Sequence, residues 1–264
     1  MIHKHGIDKK IKSQKISSLF PGCGISSEDT GLGTIGKIDH ARIPSGITIK
    51  MHPHINDDIL SYFRTGVSKH MDSENISAEI SRKRLMLMQA GSIFYHEERI
   101  LEPLEGLQIF IRPQHKDDSP KVTFYDLEET DSMDHWRLLA SPTPQTPLRF
   151  TSETWIYDLR VKEQTQLGLP ALPKKGLTAV LYVFQGEVLL NETIGLIKEE
   201  SVVMQDEPVQ LEAEPDTELV LFFTDSDSDC YKNGMFSGNQ FKLWGDEIYL
   251  IEKTGGSFSF WIYS

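Results

Sequence analysis

The stretch Met51-His52-Pro53-His54 and the stretch Tyr95-His96-Glu97-Glu98 decide the fold of this chain. Each holds two potential metal ligands at positions i and i+2. Residues two apart point to the same side of a β-strand, whereas on a helix they diverge by about 200° and could not share an ion. Two such pairs on neighbouring strands bring three imidazoles and one carboxylate together inside a barrel. That set suits a divalent first-row metal and leaves one or two coordination positions open.

The sequence around these pairs is β-like in both halves of the chain. Short apolar or alternating runs are separated by Gly, Pro, Asp and Asn, and convincing long helices are few. Regular short strands with turn signals predict an all-β fold with two tandem barrels. The runs are Ile47–Ile49, Ile59–Phe63, Leu85–Met88, Leu107–Ile111 and Val122–Tyr125 in the first half, and Trp155–Val161, Leu177–Phe184, Gly186–Leu190 and Leu219–Phe223 in the second.

Three regions are expected along the chain: residues 1–140, 141–225 and 226–264. A Pro-rich stretch, Ser141 to Leu148, is typical of a linker between the first two. All nine histidines lie between His3 and His135, so only the first barrel can hold a histidine-based metal site. The third region contains two β-like segments around a Gly-Gly pair. We expect a hairpin packed on the second barrel, with an oligomer contact as the alternative.

Composition excludes several classes of function. The 264 residues include 27 Lys plus Arg against 39 Asp plus Glu, a net charge of −12, which argues against direct nucleic-acid binding. No apolar run is long enough to span a membrane. The basic amino terminus has no apolar segment behind it and is not a secretory signal. Two cysteines without CxxC spacing suit free thiols in a reducing cytoplasm, so we expect a cytoplasmic protein.

Several side chains near the two pairs have two interpretations. Glu98 is a metal ligand or a surface carboxylate, and in a dioxygenase it could also be the base that takes a substrate hydroxyl proton. Asp58 is expected to orient a ligand imidazole, with a role as fifth ligand as the alternative. His70 is expected in a structural turn, with a pocket role as the alternative. Met88 and Phe94 pack in the core or line the pocket.

A Gly-rich stretch, Gly31-Leu32-Gly33-Thr34-Ile35-Gly36, fits the dinucleotide pattern GxGxxG. That fingerprint needs a strand before it and a helix after it. A polar segment precedes it and more β pattern follows, so we assign it no nucleotide-binding role.

At this point the sequence resembles a known family. The spacing Gly46-x5-His52-x-His54-x3-Asp58-x7-Gly66 is similar to the first cupin motif, and Met88-x-Ala90-Gly91-x4-His96-x-Glu98 is similar to the pirin form of the second. Between them, Gly66 to Ser73 resembles the pirin stretch in which a Gly turn leads to His-x-Asp-Ser.

The resemblance implies a bicupin of two jelly-roll barrels. Its first barrel would bind one metal through His52, His54, His96 and Glu98, while its second would be metal-free. Iron is the expected metal, with manganese, nickel, copper and zinc as alternatives. Some pirin-like proteins are quercetinases, which open a flavonol ring with dioxygen, and others are described as metal-dependent transcriptional cofactors.

Three positions depart from the family pattern, one of them being Asp58, a shortened form of the usual acidic residue. Asn56 stands where the family has Gly, and Ile93 stands at the second Gly of Ala-Gly-x-Gly. We expect the Ile93 side chain to fill space near the metal and narrow the pocket, which weighs against flavonol-sized substrates.

The function expected first is a metal-dependent dioxygenase that acts with dioxygen on a flavonol-like or other enolisable aromatic compound. The alternative is a non-enzymatic, redox-responsive module that binds a protein partner, which the acidic charge suits better than nucleic acid. A cupin with a purely structural metal is the third hypothesis.

Overall fold

The computed structural model describes residues 15–23, 25–26, 28–128 and 132–239 in full, and the backbone of five further strands at 2–5, 10–12, 241–244, 247–254 and 257–263. These parts of the chain contain strands and loops but no α-helix, and therefore no helix that could cross a membrane.

The strands of the first half of the chain are β1 (Ile2–His5), β2 (Lys10–Lys12), β3 (Ile16–Leu19), β4 (Ile35–Ile43), β5 (Thr48–His54), β6 (Asp58–Thr65), β7 (Val67–Asp72), β8 (Ser77–Ser81), β9 (Arg84–Gln89), β10 (Phe94–Ile100), β11 (Leu104–Ile111) and β12 (Lys121–Asp126).

The strands of the second half are β13 (Arg137–Ser141), β14 (Leu148–Arg149), β15 (Thr154–Arg160), β16 (Thr165–Gly168), β17 (Thr178–Gln185), β18 (Glu187–Leu190), β19 (Ile194–Ile197), β20 (Ser201–Gln205), β21 (Gln210–Ala213), β22 (Glu218–Thr224), β23 (Phe241–Trp244), β24 (Glu247–Thr254) and β25 (Ser257–Tyr263).

The fold is a tandem pair of jelly-roll barrels, as the sequence predicts. The first barrel is one curled sheet in the order β2-β3-β4-β11-β6-β9-β8-β7-β10-β5, with β12 added beside β9. The second barrel is built from a sheet β1-β20-β17-β22-β15-β13-β14 and a smaller sheet β16-β21-β18-β19. The last three strands form a separate antiparallel sheet, in which β24 and β25 make the expected hairpin. What the side chains of that hairpin contact lies outside the described residues.

Strand β9 shows why its sequence is apolar without alternation. Leu85 and Leu87 belong to the large cluster between the barrels, while Met86 and Met88 point into the first barrel. A strand that is buried on both faces needs apolar side chains at every position. The cluster between the barrels also takes Ile156 and Phe222 from the second half, so the two barrels share one continuous core.

The two ends of the described chain cross between the halves. Strand β1 pairs with β20 and so extends the sheet of the second barrel. After β22, the chain crosses back to the first barrel, where the Met235 N–H donates to the Ile55 carbonyl at 2.8 Å. The backbone N–H groups of Tyr231, Met235, Phe236 and Ser237 all donate to acceptors of the first barrel. The expectation that the region 226–264 packs on the second barrel stays a prediction.

Candidate metal centre

Two adjacent strands hold the three predicted histidine ligands. In the pairing of β10 with β5, His96 lies opposite His52, and Phe94 lies opposite His54. Directly opposed residues share a face of the sheet, so all three imidazoles project into the first barrel. Pro53 lies between them on the other face, opposite the exposed Tyr95.

The three imidazoles meet at their Nε2 atoms. The Nε2 atoms of His52 and His54 are 3.2 Å apart, those of His54 and His96 are 3.0 Å apart, and those of His96 and His52 are 3.1 Å apart. Three nitrogens at right angles around an ion, each about 2.1 Å away, are about 3.0 Å apart, and a tetrahedral set is slightly wider. The triangle therefore has the dimensions of three ligands on one ion.

The hydrogen-bond partners of the Nδ1 atoms of His52 and His96 determine which ring nitrogen of each imidazole carries the proton. The His52 Nδ1 lies 2.8 Å from the Lys50 carbonyl oxygen, which can only accept, so this Nδ1 carries the hydrogen. The His70 Nε2 lies 2.8 Å from an Asp72 carboxylate oxygen, so His70 donates there and leaves its Nδ1 as an acceptor. That acceptor is 3.4 Å from the His96 Nδ1. In His52 and in His96, the Nε2 atom therefore carries no hydrogen, and its lone pair faces the centre of the triangle.

Burial favours the neutral form of His52, His70 and His96. Burial, together with the neighbouring His54, His52 and His70, lowers the pKa of His96 to about 2. Burial also lowers the pKa of His52 and of His70, although the Lys50 carbonyl and the Asp72 carboxylate act in the opposite direction. Three neutral lone pairs about 3 Å apart repel one another unless a cation lies between them. The donor set therefore fits a divalent metal.

Glu98, the predicted fourth ligand, lies on the other edge of His96. Its Oε1 is 3.8 Å from the His96 Nδ1. Glu98 could share an ion with His70 and His96, but it does not belong to the Nε2 triangle. The carboxylate is buried, and its Oε1 has no hydrogen-bond partner among the described residues. Burial raises the pKa of Glu98 to about 7, while the Ser68 hydroxyl lowers it. Glu98 is thus a buried, uncompensated proton acceptor next to the triangle.

The carboxylate that faces a ligand imidazole is Asp57 rather than the predicted Asp58. Asp57 Oδ2 lies 3.6 Å from the His54 Nδ1. Asp58 begins β6 and accepts a hydrogen bond from the Gln89 amide at 3.2 Å instead. Burial raises the pKa of Asp58 to about 7. The two neighbours differ because Asp57 belongs to the loop after β5, whereas Asp58 is already the first residue of β6.

His70, Met88 and Phe94 all lie inside the first barrel. His70 is fully buried in the middle of β7, opposite Glu98, and is not a turn residue. Met88 and Phe94 belong to an apolar cluster with Phe110. The Phe94 ring is stacked 6.4 Å from the His70 ring, and the cluster thus forms one wall beside the histidines.

Ile93 lies just before β10 and is 41% exposed, whereas the next residue, Phe94, is fully buried in the first barrel. The expectation that Ile93 narrows the pocket stays a prediction. Asn56 retains the backbone that its family position requires. Its φ is 54°, in the left-handed region that Gly and Asn adopt most readily.

Four site residues were missed by sequence reasoning. Asp72 had a visible signal, because His70 and Asp72 form a third i, i+2 pair on a strand. Asp57 lies three residues after His54 and could have been weighed against Asp58. Phe110 and Phe236 had no local signal. The Phe236 ring lies 4.8 Å from the His54 ring, although the two residues are distant in sequence.

The Gly-rich stretch at 31–36 leads into strand β4 rather than a helix, so it lacks the context of a dinucleotide site.

Comparison with known proteins agrees with this architecture. Residues 6–111 match the family model described as Pirin. A quercetin 2,3-dioxygenase of Escherichia coli O157:H7 is 23% identical over 73% of this chain and 83% of its own length. The putative quercetin 2,3-dioxygenase PM1685 of Pasteurella multocida is 26% identical over 65% of this chain and 74% of its own length. The bacterial pirin YhhW of Escherichia coli, solved in complex with nickel(II), shares the fold with a TM-score of 0.72 and 19% identity, over 85% of this chain and 99% of that one.

Proposed function

We propose that this chain, whose residues 6–111 match the Pirin family model, is a metal-dependent dioxygenase of the quercetin 2,3-dioxygenase type. Its substrates are a flavonol-like or other enolisable aromatic compound and dioxygen. The single observation that carries the proposal is the triangle of Nε2 atoms, 3.0 to 3.2 Å apart.

His52, His54 and His96 would hold the metal through these Nε2 atoms. Three ligands leave coordination positions open, which separates a catalytic site from a closed structural one. When bound, a divalent first-row metal supplies a Lewis acid and, for iron, manganese, nickel or copper, a route for electrons between substrate and dioxygen. We propose iron as the metal. The prediction that Glu98 is a fourth ligand stays a prediction, since its carboxylate faces the Nδ1 edge of His96.

The second role of Glu98 is to accept a proton. An enolisable aromatic substrate has to lose its hydroxyl proton before the ring becomes electron-rich enough to react. The Glu98 carboxylate is buried beside the histidines, and its Oε1 is free to accept that proton. Phe94, Phe110 and Met88 provide an apolar wall that suits a planar aromatic ring.

The first test is metal content measured by elemental analysis on untagged protein. The wild type is expected to hold about one equivalent of a first-row metal, and a His52→Ala/His96→Ala double variant is expected to hold almost none. A variant of the exposed His115 (His115→Ala) is the matched control and should retain the metal.

The second test is oxygen uptake with quercetin. The wild type should consume dioxygen as quercetin disappears, and Glu98→Gln should lower the turnover rate by about 100-fold while keeping the metal. If the wild type holds no metal even after reconstitution with iron, nickel or cobalt, the proposal is wrong. Metal without turnover of quercetin or a smaller enolisable phenol would reject the dioxygenase activity alone.

A further inference from the structure

A segment from the far end of the described chain forms part of the candidate metal centre. We call residues 231–237 the tail strap. It begins where the Tyr231 N–H donates to the Pro113 carbonyl at 2.8 Å. It then passes over the loop that follows β5, where the Met235 N–H donates to the Ile55 carbonyl at 2.8 Å.

The Asp57 carboxylate anchors the strap beside His54. The Phe236 N–H donates to both of its oxygens at 3.1 Å, and the Ser237 N–H donates to Oδ1 at 2.7 Å. Asp57 is fully buried, so these charge-assisted bonds are shielded from water. The buried Arg112 guanidinium adds a bond to the Ser237 carbonyl at 3.0 Å.

Close backbone packing prevents the strap from shifting. A Cβ on Gly234 would lie 2.3 Å from the Asn56 carbonyl oxygen, so only glycine permits this approach. With hydrogen bonds on both sides of this contact, the strap cannot move without breaking several of them at once.

The side chain that this anchoring positions is Phe236. Its ring centroid lies 4.8 Å from the ring of His54 and 5.6 Å from the ring of Phe110, and the Lys37 Nζ is 5.4 Å from it. One ring therefore contacts both a histidine of the triangle and the apolar wall. The ring thus lies directly beside the His54 side of the triangle.

We propose that Phe236 is a specificity-determining residue, whose rigidly held ring limits the width of the aromatic compound that fits beside His54. This inference rests on the proposed function, because it assigns the substrate binding space to the site formed by the triangle. It adds that the size limit is set by the tail strap and not by the two histidine-bearing strands.

The test is a side-chain series at one position with two probes of different width. Dissociation constants of catechol, with one ring, and of quercetin, with three, are measured for Phe236→Ala, Phe236→Leu, Phe236→Trp and wild type, each as metal-free and as nickel-loaded protein. Asn233→Ala, on an exposed position of the same strap, is the control.

We expect quercetin affinity relative to catechol affinity to rise about tenfold in Phe236→Ala, to rise less in Phe236→Leu and to fall in Phe236→Trp. Asn233→Ala should leave the ratio unchanged. If Phe236 had only a structural role, its substitution would weaken the binding of both probes by the same factor. An unchanged ratio of quercetin affinity to catechol affinity across the series therefore overturns the inference. Failure of every protein form to bind either probe overturns it as well.

The two proposals fail in different ways. Loss of metal binding, or metal binding without turnover, contradicts the proposed function but leaves the probe ratio of the metal-free protein as a test of Phe236. A constant ratio in protein that binds metal and turns over quercetin rejects only the specificity role.

Discussion

Replacement of Asp57 by alanine should weaken the attachment of the tail strap and cost a large share of the stability of the fold. The variant removes the acceptor of two backbone N–H groups, those of Phe236 and Ser237, and leaves the Ser237 amide buried. Hydrogen bonds to a charged group contribute about 1.5 to 3 kcal/mol each, so we expect a loss of about 3 to 6 kcal/mol in the free energy of unfolding.

The measurement combines urea unfolding with hydrogen exchange. Asp57→Ala should lower the unfolding midpoint and raise the exchange rates of the Phe236 and Ser237 amides more than those of strand β22. Asp227→Ala removes the same charge from an exposed turn and should change stability by no more than about 0.5 kcal/mol. Equal losses in the two variants, or unchanged exchange at residues 236 and 237, would refute the reasoning.

Three further predictions concern other parts of the first barrel. Burial raises the pKa of Asp58 from 3.8 to about 7, so the protonated carboxyl stabilises the fold at low pH and this stability is lost as the pH rises from about 4 to 7. The melting temperature of Asp58→Asn should therefore rise relative to that of the wild type over this range. A difference in melting temperature that does not change with pH would contradict the prediction. His70→Leu removes the acceptor for the His96 Nδ1 and should weaken nickel affinity about 10- to 100-fold in a chelator competition, whereas unchanged affinity would show that His70 does not position His96. Gly91→Ala should lower the free energy of unfolding by about 2 kcal/mol or more, because φ is 52° and a Cβ would lie 1.9 Å from a carbonyl oxygen. Gly46 has a φ of 80° and open space around it, so Gly46→Ala tests the backbone strain alone and should lower the free energy of unfolding by less.

The sequence was sufficient to predict the barrels and the histidine triangle because both depend on local periodicity. An i, i+2 pair identifies the inward face of a strand, and β5 and β10 needed only to be neighbours for His52, His54 and His96 to meet. The rule does not extend to Ile93, which lies just before β10, and the expectation that Ile93 narrows the pocket stays a prediction.

The rest of the site depends on contacts between distant segments. Phe236 contacts His54 because the chain returns from the second barrel to the first, and no local sequence pattern predicts that return. The position of Asp57, rather than Asp58, beside His54 has the same origin. Asp57 accepts hydrogen bonds from backbone N–H groups of the tail strap, which lie about 180 residues away in sequence. Glu98 differs again, because the spacing from His96 predicts its position but not that its carboxylate lies at the Nδ1 edge of His96.

The crossing of both chain ends has a consequence for how the protein can be divided. Strand β1 completes the sheet of the second barrel, while the tail strap covers the first, so each half lacks a piece that the other half carries in sequence. A cut in the Pro-rich stretch at 141–148 would therefore produce two fragments that depend on each other. The nicked protein should stay together as a non-covalent complex, and two separately produced fragments should reassociate and recover metal binding only when mixed. The two barrels therefore depend on each other for folding, and the segment that follows the second barrel places Phe236 beside the candidate metal centre without providing a ligand.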